Sequence, residues 1–352
     1  MIWNTNASLI ETQLVPENAY FRQASEFMQS WLSGKEEFIF HTSGSTGLPK
    51  DIRVTRIQLQ SSAFLTGKAL NLPKGTRALV CLNINYIAGT MMLVRGLELG
   101  WDMTITEPSS NPLLEFEDPD FDFVAMVPFQ LSTCLADEKT KHQVEHLGKI
   151  LLGGAPIQVS LQKQIGRLNV AVFHSYGMTE TVSHIALKRL NHPQPDNAYT
   201  VLPGIHFGVD HRGCIFLQGV VTGNEKVQTN DLVEITSENS FIWLGRADHV
   251  INSGGVKVVL DTVDQIVAEV FYESGYTNNF YSWHESDEKL GQKLILIIEN
   301  NGDELSAEHI IKELRKRISV YQTPKHVYFV DEFIKTPTDK VDRQKTAQAV
   351  LG

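Results

Sequence analysis

Cysteine is scarce in this chain. Its three residues, Cys81, Cys134 and Cys214, are widely spaced, with no Cys-x-x-Cys pair. A disulfide-stapled secreted scaffold is thereby excluded, and the three read as reduced structural thiols. Basic residues are also in short supply: 31 Lys+Arg face 41 Asp+Glu, a formal net charge of −10. A nucleic-acid partner would need the reverse balance, because phosphates are bound by neutralising them. The deficit is shared along the chain, with 12 basic against 16 acidic residues beyond position 248. Long apolar runs are missing as well. The longest, Ala78 to Val94, is interrupted by Asn83, Asn85 and Gly89, which leaves it too short and too polar to span a bilayer. Met1 to Glu11 shows no basic stretch followed by an apolar one, so no signal peptide is read there. The expectation is a cytoplasmic protein with neither nucleic acid nor membrane as partner.

The chain does have length and an ordinary globular balance: 352 residues, 42% hydrophobic and 20% charged. One core stops growing near that size, so two domains are expected. Phe21, Ala24, Phe27, Met28, Trp31 and Leu32 share one helical face. Phe38 to Phe40 reads as a strand entering a Gly/Ser/Thr loop, and Thr55 with Gln58 three residues later reads as a helix-opening capping box. Apolar runs at Ala78–Leu82, Phe123–Val127, Ile150–Leu152 and Val170–Phe173 then alternate with helical stretches. That alternation predicts an α/β fold with a largely parallel sheet. From about 183 to 245 the segments become short and turn-punctuated, with Gly at 204, 208, 213, 219 and 223, which predicts a β-rich subdomain. After Asp248 a strand (Leu294–Ile298), a charged amphipathic helix (Ala307–Ile318) and another strand (Val327–Val330) predict a small α+β unit. The expected division is residues 1–247 and 248–352.

Thr42-Ser43-Gly44-Ser45-Thr46-Gly47-Leu48-Pro49-Lys50 carries the strongest chemical signal. Gly44 and Gly47 let backbone approach a ligand closely. Four hydroxyls, free N–H groups and a terminal lysine suit a polyphosphate. Standing alone, the same run would read as a flexible linker. It is not a Walker A loop: the spacing is Gly44-x-x-Gly47-x-x-Lys50, and Asp51 follows where Ser or Thr should hold magnesium.

These nine residues resemble the phosphate loop of the adenylate-forming superfamily, which contains acyl-CoA ligases, luciferases and peptide-synthetase adenylation domains. Further segments match in that family's order, from residue 42 to 343. The resemblance implies an enzyme with a large α/β domain and a small mobile C-terminal lid, using ATP, Mg2+ and CoA. It gives the β/γ-phosphates to Thr42, Ser43, Gly44, Ser45, Thr46, Gly47 and Lys50. Gly153-Gly154-Ala155-Pro156 is similar to the adenine-side loop. Ser175-Tyr176-Gly177-Met178-Thr179-Glu180-Thr181 resembles the motif whose aromatic packs on adenine and whose glutamate holds the metal, here Glu180 helped by Thr179. Asp231 of Thr229-Asn230-Asp231 corresponds to the ribose-binding aspartate. Arg246 and Asp248 fall in the hinge motif, with Gly254 and Gly255 on the CoA side. Lys340 is the implied catalytic lysine.

Asn85 to Gly89, Val127 to Leu131, Leu151 to Ile157 and His174 to His184 are further similar to the 2-succinylbenzoate–CoA ligases of menaquinone synthesis. That implies 2-succinylbenzoate as the acid, in an apolar slot formed by Tyr86, Ile87, Phe129 and Met178, with Gly89 and Gly177 leaving room. His184, Ser183 or a water would face its second carboxylate. Asn230 replaces the usual Gly, which should be tolerated because Asn also accepts turn geometry. Asp339, Asn252 and Thr262 also depart from the family pattern, and only about 40 residues precede the phosphate loop, a short leader. His142 and His146 share a helical face, as a zinc pair would, but their charged surroundings read as a solvated helix. Other readings stay open: a ligase for another aryl or acyl acid, carrier-protein loading, and an inactive nucleotide- or acyl-binding regulator. Retention of Glu180, Asp231, Arg246 and Lys340 together argues against the last. A homodimer is left open.

Overall fold

The computed structural model describes residues 1–41, 51–300, 302, 305–336 and 341–352. Its main body is a twelve-stranded sheet. Five strands run parallel: Asp102–Thr106, Arg77–Val80, Phe123–Met126, Lys149–Leu152 and Ala171–Gly177, in that spatial order. Arg77–Val80, Phe123–Met126 and Lys149–Leu152 read as nearly continuous apolar runs because helices cover both faces. Side chains alternate between two cores. Ala78, Val80 and Phe123 pack with the helices Ala19–Leu32, Arg56–Ala69 and Ile87–Leu99. Leu79, Cys81, Val124 and Met126 pack with Pro128–Ala136, Glu138–Val144 and Val159–Ile165. From Arg77–Val80 the chain moves to one side, to Asp102–Thr106, then crosses back to Phe123–Met126 on the other. A reversal of this kind opens a crevice beyond the carboxyl ends of the strands.

The strands expected to form a β-rich subdomain continue this same sheet. Ala171–Gly177 pairs antiparallel with His184–Arg189, and Tyr199–Val201, Ser240–Arg246, Val227–Ser237, Cys214–Gln218 and His206–Val209 follow, all antiparallel. Ile185, Val201, Ile215, Leu217 and Phe241 give that half its own core. A second difference lies near the phosphate loop, where the sequence predicted strand, loop and helix. A strand, Asp51–Thr55, precedes the helix and pairs antiparallel with Glu37–His41. The capping box of Thr55 and Gln58 is present at the start of the helix Arg56–Ala69.

After Arg246 a short turn leads into a five-stranded sheet of Val256–Val259, Val250–Ser253, Gly291–Glu299, Phe280–Asp287 and His326–Val330. Leu260–Ser274 and Ala307–Arg315 cover one face through Val263, Val267, Ile310 and Leu314. Arg343–Leu351 covers the other through Ala347. Among the described residues no helix is long and apolar enough to cross a membrane.

Candidate active site

Residues just past the ends of four parallel strands enclose a cavity of about 250 Å³. Leu82, Ile87, Met126, Val127, Leu151 and Met178 make most of it apolar, while Arg95, Ser175, Thr179, Ser183 and His184 supply side-chain polarity. Close backbone packing shapes the walls. A Cβ on Gly153 would stand 2.6 Å from Ser175 Oγ, and one on Gly177 would stand 2.3 Å from the Ser183 carbonyl oxygen. Ser175 Oγ donates to the Leu152 carbonyl at 2.9 Å, tying the two loops. Between Gly177 and Ser183 the chain turns sharply. Val182 adopts φ 65° and ψ −55°, and Ser183 N–H closes a three-residue turn on the Thr181 carbonyl at 2.7 Å. This positive-φ γ-turn is strained for a β-branched residue, and it aims Ser183 at the cavity.

Tyr176, Asp231, Arg246 and Asp248 form one continuous set of contacts. Tyr176 Oη donates to Asp231 Oδ2 at 2.7 Å, and burial together with that carboxylate pushes the phenol pKa far up. Arg246 Nη1 lies 3.7 Å from Asp231 Oδ1, and its Nε donates to Asp248 Oδ1 at 2.9 Å. Strand pairing fixes the arrangement, because Asp231 sits directly opposite Arg246. Asn230 needs no turn geometry: it lies within the strand Val227–Ser237 without a positive φ, where any residue fits, and its Oδ1 accepts from Arg212.

His174 Nε2 lies 3.2 Å from the Ala155 carbonyl and Nδ1 lies 2.7 Å from Tyr199 Oη. A carbonyl can only accept, so Nε2 carries the proton and Nδ1 accepts from the tyrosine. Burial holds the pKa of this imidazole down to about 4. His184 is fixed in the same way. Thr66 Oγ1 gives its proton to the Ser62 carbonyl at 2.9 Å and therefore accepts from His184 Nε2 at 3.2 Å. Burial, then the neighbouring Arg95 charge, push this histidine's pKa well down, so it is neutral.

Glu180 is exposed on the short turn Thr179–Thr181 and makes no hydrogen bond or ion pair with a described residue. A single free carboxylate beside the crevice fits magnesium, a hard cation that often takes one carboxylate with water and phosphate oxygens. Among the described residues no three His, Cys, Asp or Glu gather into a protein cage for a metal.

The residues read as an acid slot divide between two places. Ile87, Met178 and His184 line the first cavity, whereas Tyr86 and Phe129, 58% and 67% exposed, line a neighbouring one of about 510 Å³. Gly89 lines neither; a Cβ there would stand 2.3 Å from the Asn83 carbonyl oxygen. Gly89 and Gly177 thus allow backbone to meet backbone rather than leaving room for a ring. Gly154 takes φ +82°, and Ala155 and Pro156 are exposed beside it. Gly254 and Gly255, both with positive φ, form the two-residue turn of a hairpin whose Ser253 pairs with Val256. Thr42, Ser43, Gly44, Ser45, Thr46, Gly47, Lys50 and Lys340 lie outside the described residues.

Residues 11–209, more than half of the chain, match the family described as AMP-binding enzyme. The chain belongs to the AMP-binding enzyme family. It is 57% identical to the acyl-CoA synthetase (AMP-forming)/AMP-acid ligase II-like protein from Dyadobacter fermentans DSM 18053, over 99% of this chain and 100% of that one, with a TM-score of 0.70. The 2-succinylbenzoate–CoA ligase of Staphylococcus aureus strain JH9 is 25% identical over 332 residues, 87% of this chain; the chain spans 66% of that relative's length. The o-succinylbenzoate CoA synthetase from Bacillus subtilis, solved with ATP and magnesium ion, superposes with a TM-score of 0.72 at 20% identity, over 88% of this chain and 69% of its own. That last likeness is one of fold, and the α/β architecture expected from the sequence is shared with it.

Two polar features of this AMP-binding enzyme's crevice escaped the motif reading. The His174–Tyr199 pair joins residues 25 apart, and no local pattern marks it. Arg95 did leave a signal: it is the one charged residue in Met91-Met92-Leu93-Val94-Arg95-Gly96-Leu97, a run buried throughout.

Proposed function

We propose that this enzyme ligates a carboxylic acid to a thiol in two steps. The acid first attacks the α-phosphorus of ATP, forming an acyl-adenylate and releasing pyrophosphate; the thiol of CoA then displaces AMP. The observation that carries this reading is the contact chain Tyr176–Asp231–Arg246–Asp248 leading away from an apolar cavity at the strand ends. An adenylate needs that combination: an aromatic surface for the base, a carboxylate for ribose hydroxyls, and a separate dry pocket for the acyl group.

The chemistry concentrates negative charge, so catalysis is mostly positioning and neutralisation. In this reading the Thr42–Lys50 segment holds the β/γ-phosphates and Lys340 neutralises charge during adenylation. Glu180, helped by Thr179, holds magnesium, which when bound offsets phosphate charge. Asp231 takes the ribose hydroxyls, and Ser175 with Gly154, Ala155 and Pro156 borders the adenine. Residues 1–247 form the adenylating unit and 248–352 a lid that turns at Asp248, bringing the Gly254–Gly255 turn to pantetheine. The acid is 2-succinylbenzoate, activated at its aliphatic carboxylate, a reading that rests on segment similarity and on the aromatic-sized apolar lining of Ile87, Val127, Leu151 and Met178.

Mass spectrometry of products from ATP, CoA and 2-succinylbenzoate tests both levels. AMP, pyrophosphate and 2-succinylbenzoyl-CoA are expected. ADP and phosphate would overturn the reaction class. AMP and a thioester formed only from other acids would overturn the substrate and leave the class standing.

A further inference from the structure

Two side chains at the start of the helix Leu260–Ser274 reach across the seam to the strand Ser240–Arg246. Thr262 Oγ1 donates to the Leu244 carbonyl at 3.0 Å. Asp261 Oδ2 accepts from the Arg246 backbone N–H at 2.9 Å, and His249 Nδ1 lies 3.0 Å from each oxygen of the same carboxylate. The strand end is shaped to receive them. Its ladder with Val227–Ser237 slips where Leu232 and Val233 take Gly245 and Trp243 as successive partners. Leu244 is the residue left over, a bulge outside the ladder, which leaves its carbonyl to Thr262. Beside it Gly245 takes φ +148°, and a Cβ there would stand 2.6 Å from Val259 Cγ1 and 2.7 Å from Asp261 Oδ2. Only a residue without a Cβ lets the helix end come this close.

A role within the helix alone explains this poorly. An acid in the first turn ordinarily serves its own helix's N–H groups and dipole, and a helical threonine ordinarily bonds back to a carbonyl one turn earlier. Here both side chains leave the helix for the main chain of residues 244–246. The contacts also fall on opposite sides of Asp248. His249 and Asp261 lie beyond it, whereas Leu244 and Arg246 lie before it. A turn of the lid at Asp248 therefore keeps the His249 contact and breaks the other two. In the present orientation the Gly254–Gly255 turn is unengaged. A Cβ on Gly255 would meet no described atom within 4 Å, and one on Gly254 would meet only Leu290 of the same unit.

We propose that Asp261 and Thr262 are positioning residues that latch the lid onto the bulged strand end, in an orientation that precedes thiol attack, and thereby set the balance between the two half-reactions. The proposal rests on the acid–thiol ligase reading, with its lid turning at Asp248, and deepens it by naming the contacts that must break before the thiol is delivered. A latch of this kind acts through population: the lid leaves the strand in proportion to what those two hydrogen bonds contribute. Asp261 carries the larger share because a hydrogen bond to a charged group is the stronger kind.

The test reads lid orientation and chemistry separately. Cys81, Cys134 and Cys214 are buried, so dyes can be placed on Ser132→Cys and Glu308→Cys, two exposed positions, one on each unit. Single-molecule energy transfer on the ligand-free protein should show one dominant population. Asp261→Ala combined with Thr262→Val should deplete it by about tenfold, the scale of one net hydrogen bond to a charged group. The rate of thioester formation from 2-succinylbenzoyl-AMP and CoA, divided by the rate of ATP–pyrophosphate exchange, should rise by a similar factor. Thr262→Val alone, nearly isosteric, should move both readouts the same way by about threefold, and Thr262→Ser, which keeps the hydroxyl, should match the wild type. A merely structural role would lower Tm and slow both half-reactions together, leaving their ratio and the populations unchanged. That result, or a ratio that falls, overturns the proposal. Failure of the ligase reading looks different: the wild type activates no acid, and the populations alone then decide the latch. Depletion in the double variant sustains it, and no change overturns it.

Discussion

The cavity at the strand ends and the seam near residues 246–261 treat charge in opposite ways. At the seam Arg246 and His249 each face a carboxylate. Arg246 faces both Asp231 and Asp248, and its backbone N–H donates to Asp261 Oδ2 at 2.9 Å. His249 Nδ1 lies 3.0 Å from both oxygens of Asp261. In the cavity Arg95 is more deeply buried, and among the described residues no carboxylate answers it. The Arg246–Asp248 pair at the seam is also shallow. Arg246 and Asp248 are 39% and 56% exposed, so that pair contributes about 0–1 kcal/mol and is easily broken. Charge balanced within the protein, near water, suits a segment that moves.

The largest effect expected comes from Lys340→Ala, in the catalytic role proposed for that residue. This variant should lose pyrophosphate release by about 10²-fold or more, the scale for removing one preorganised charge stabiliser. It should still convert supplied acyl-adenylate to thioester, since that step develops no charge on a leaving pyrophosphate. Equal loss of both half-reactions would remove the separation of roles. A smaller effect is expected from Asp248→Pro, which fixes φ where the short turn Ala247–His249 joins the two sheets. Thioester formation should drop at least about tenfold, in line with a gated domain movement, while adenylation changes little. Asp248→Ala is the control, because it removes the ion pair and keeps the backbone free. Identical behaviour of the two variants would assign the effect to the lost charge and move the hinge elsewhere.

What was legible in the sequence is what local spacing encodes. The apolar runs at 78–82, 123–127, 150–152 and 170–173 became parallel strands, and the helix cap at Thr55 was readable from two residues. Tyr176, Asp231 and Arg246 were singled out separately and meet in space. Less legible was anything depending on distant partners. The twelve-stranded continuity turns on Phe173 finding Arg189 across a strained loop, which turn residues alone do not announce. The strand Asp51–Thr55 showed the alternation of Ile52 and Val54 but was overshadowed by the loop before it. Gly89 and Gly177 were read as leaving room for a ring, but what occupies that space (Asn83 and Ser183 backbone) is fixed by tertiary packing. Arg95 was visible as the one charge in the buried run 91–97, and no motif drew attention to it.

The smallest effect, and the finest probe of the comparison, is an acid titration that separates the two regions. His174 has its pKa lowered to about 4 from an ordinary 6.5, chiefly by burial. Between those values the unfolded chain binds the proton and the folded one does not. The contribution is therefore complete above about pH 6.5 and is lost as pH falls towards 4. His184, also held down by burial and by Arg95, adds to the same decline. At the seam, burial works to raise the Asp261 pKa, but the His249 contact and the Arg246 N–H outweigh it and hold the group below the usual carboxylate range. Its contribution is present above the ordinary carboxylate pKa and is lost only at still lower pH. Denaturant unfolding from pH 7.5 to 4.5 should thus show the cavity side weakening first. His174→Gln should flatten the slope between pH 6 and 4.5 by up to about 1.4 kcal/mol per pH unit, the limit for one proton. A variant slope that matches the wild type would mean that His174 titrates normally in the folded protein, and that the cavity side is no less hospitable to charge than the seam.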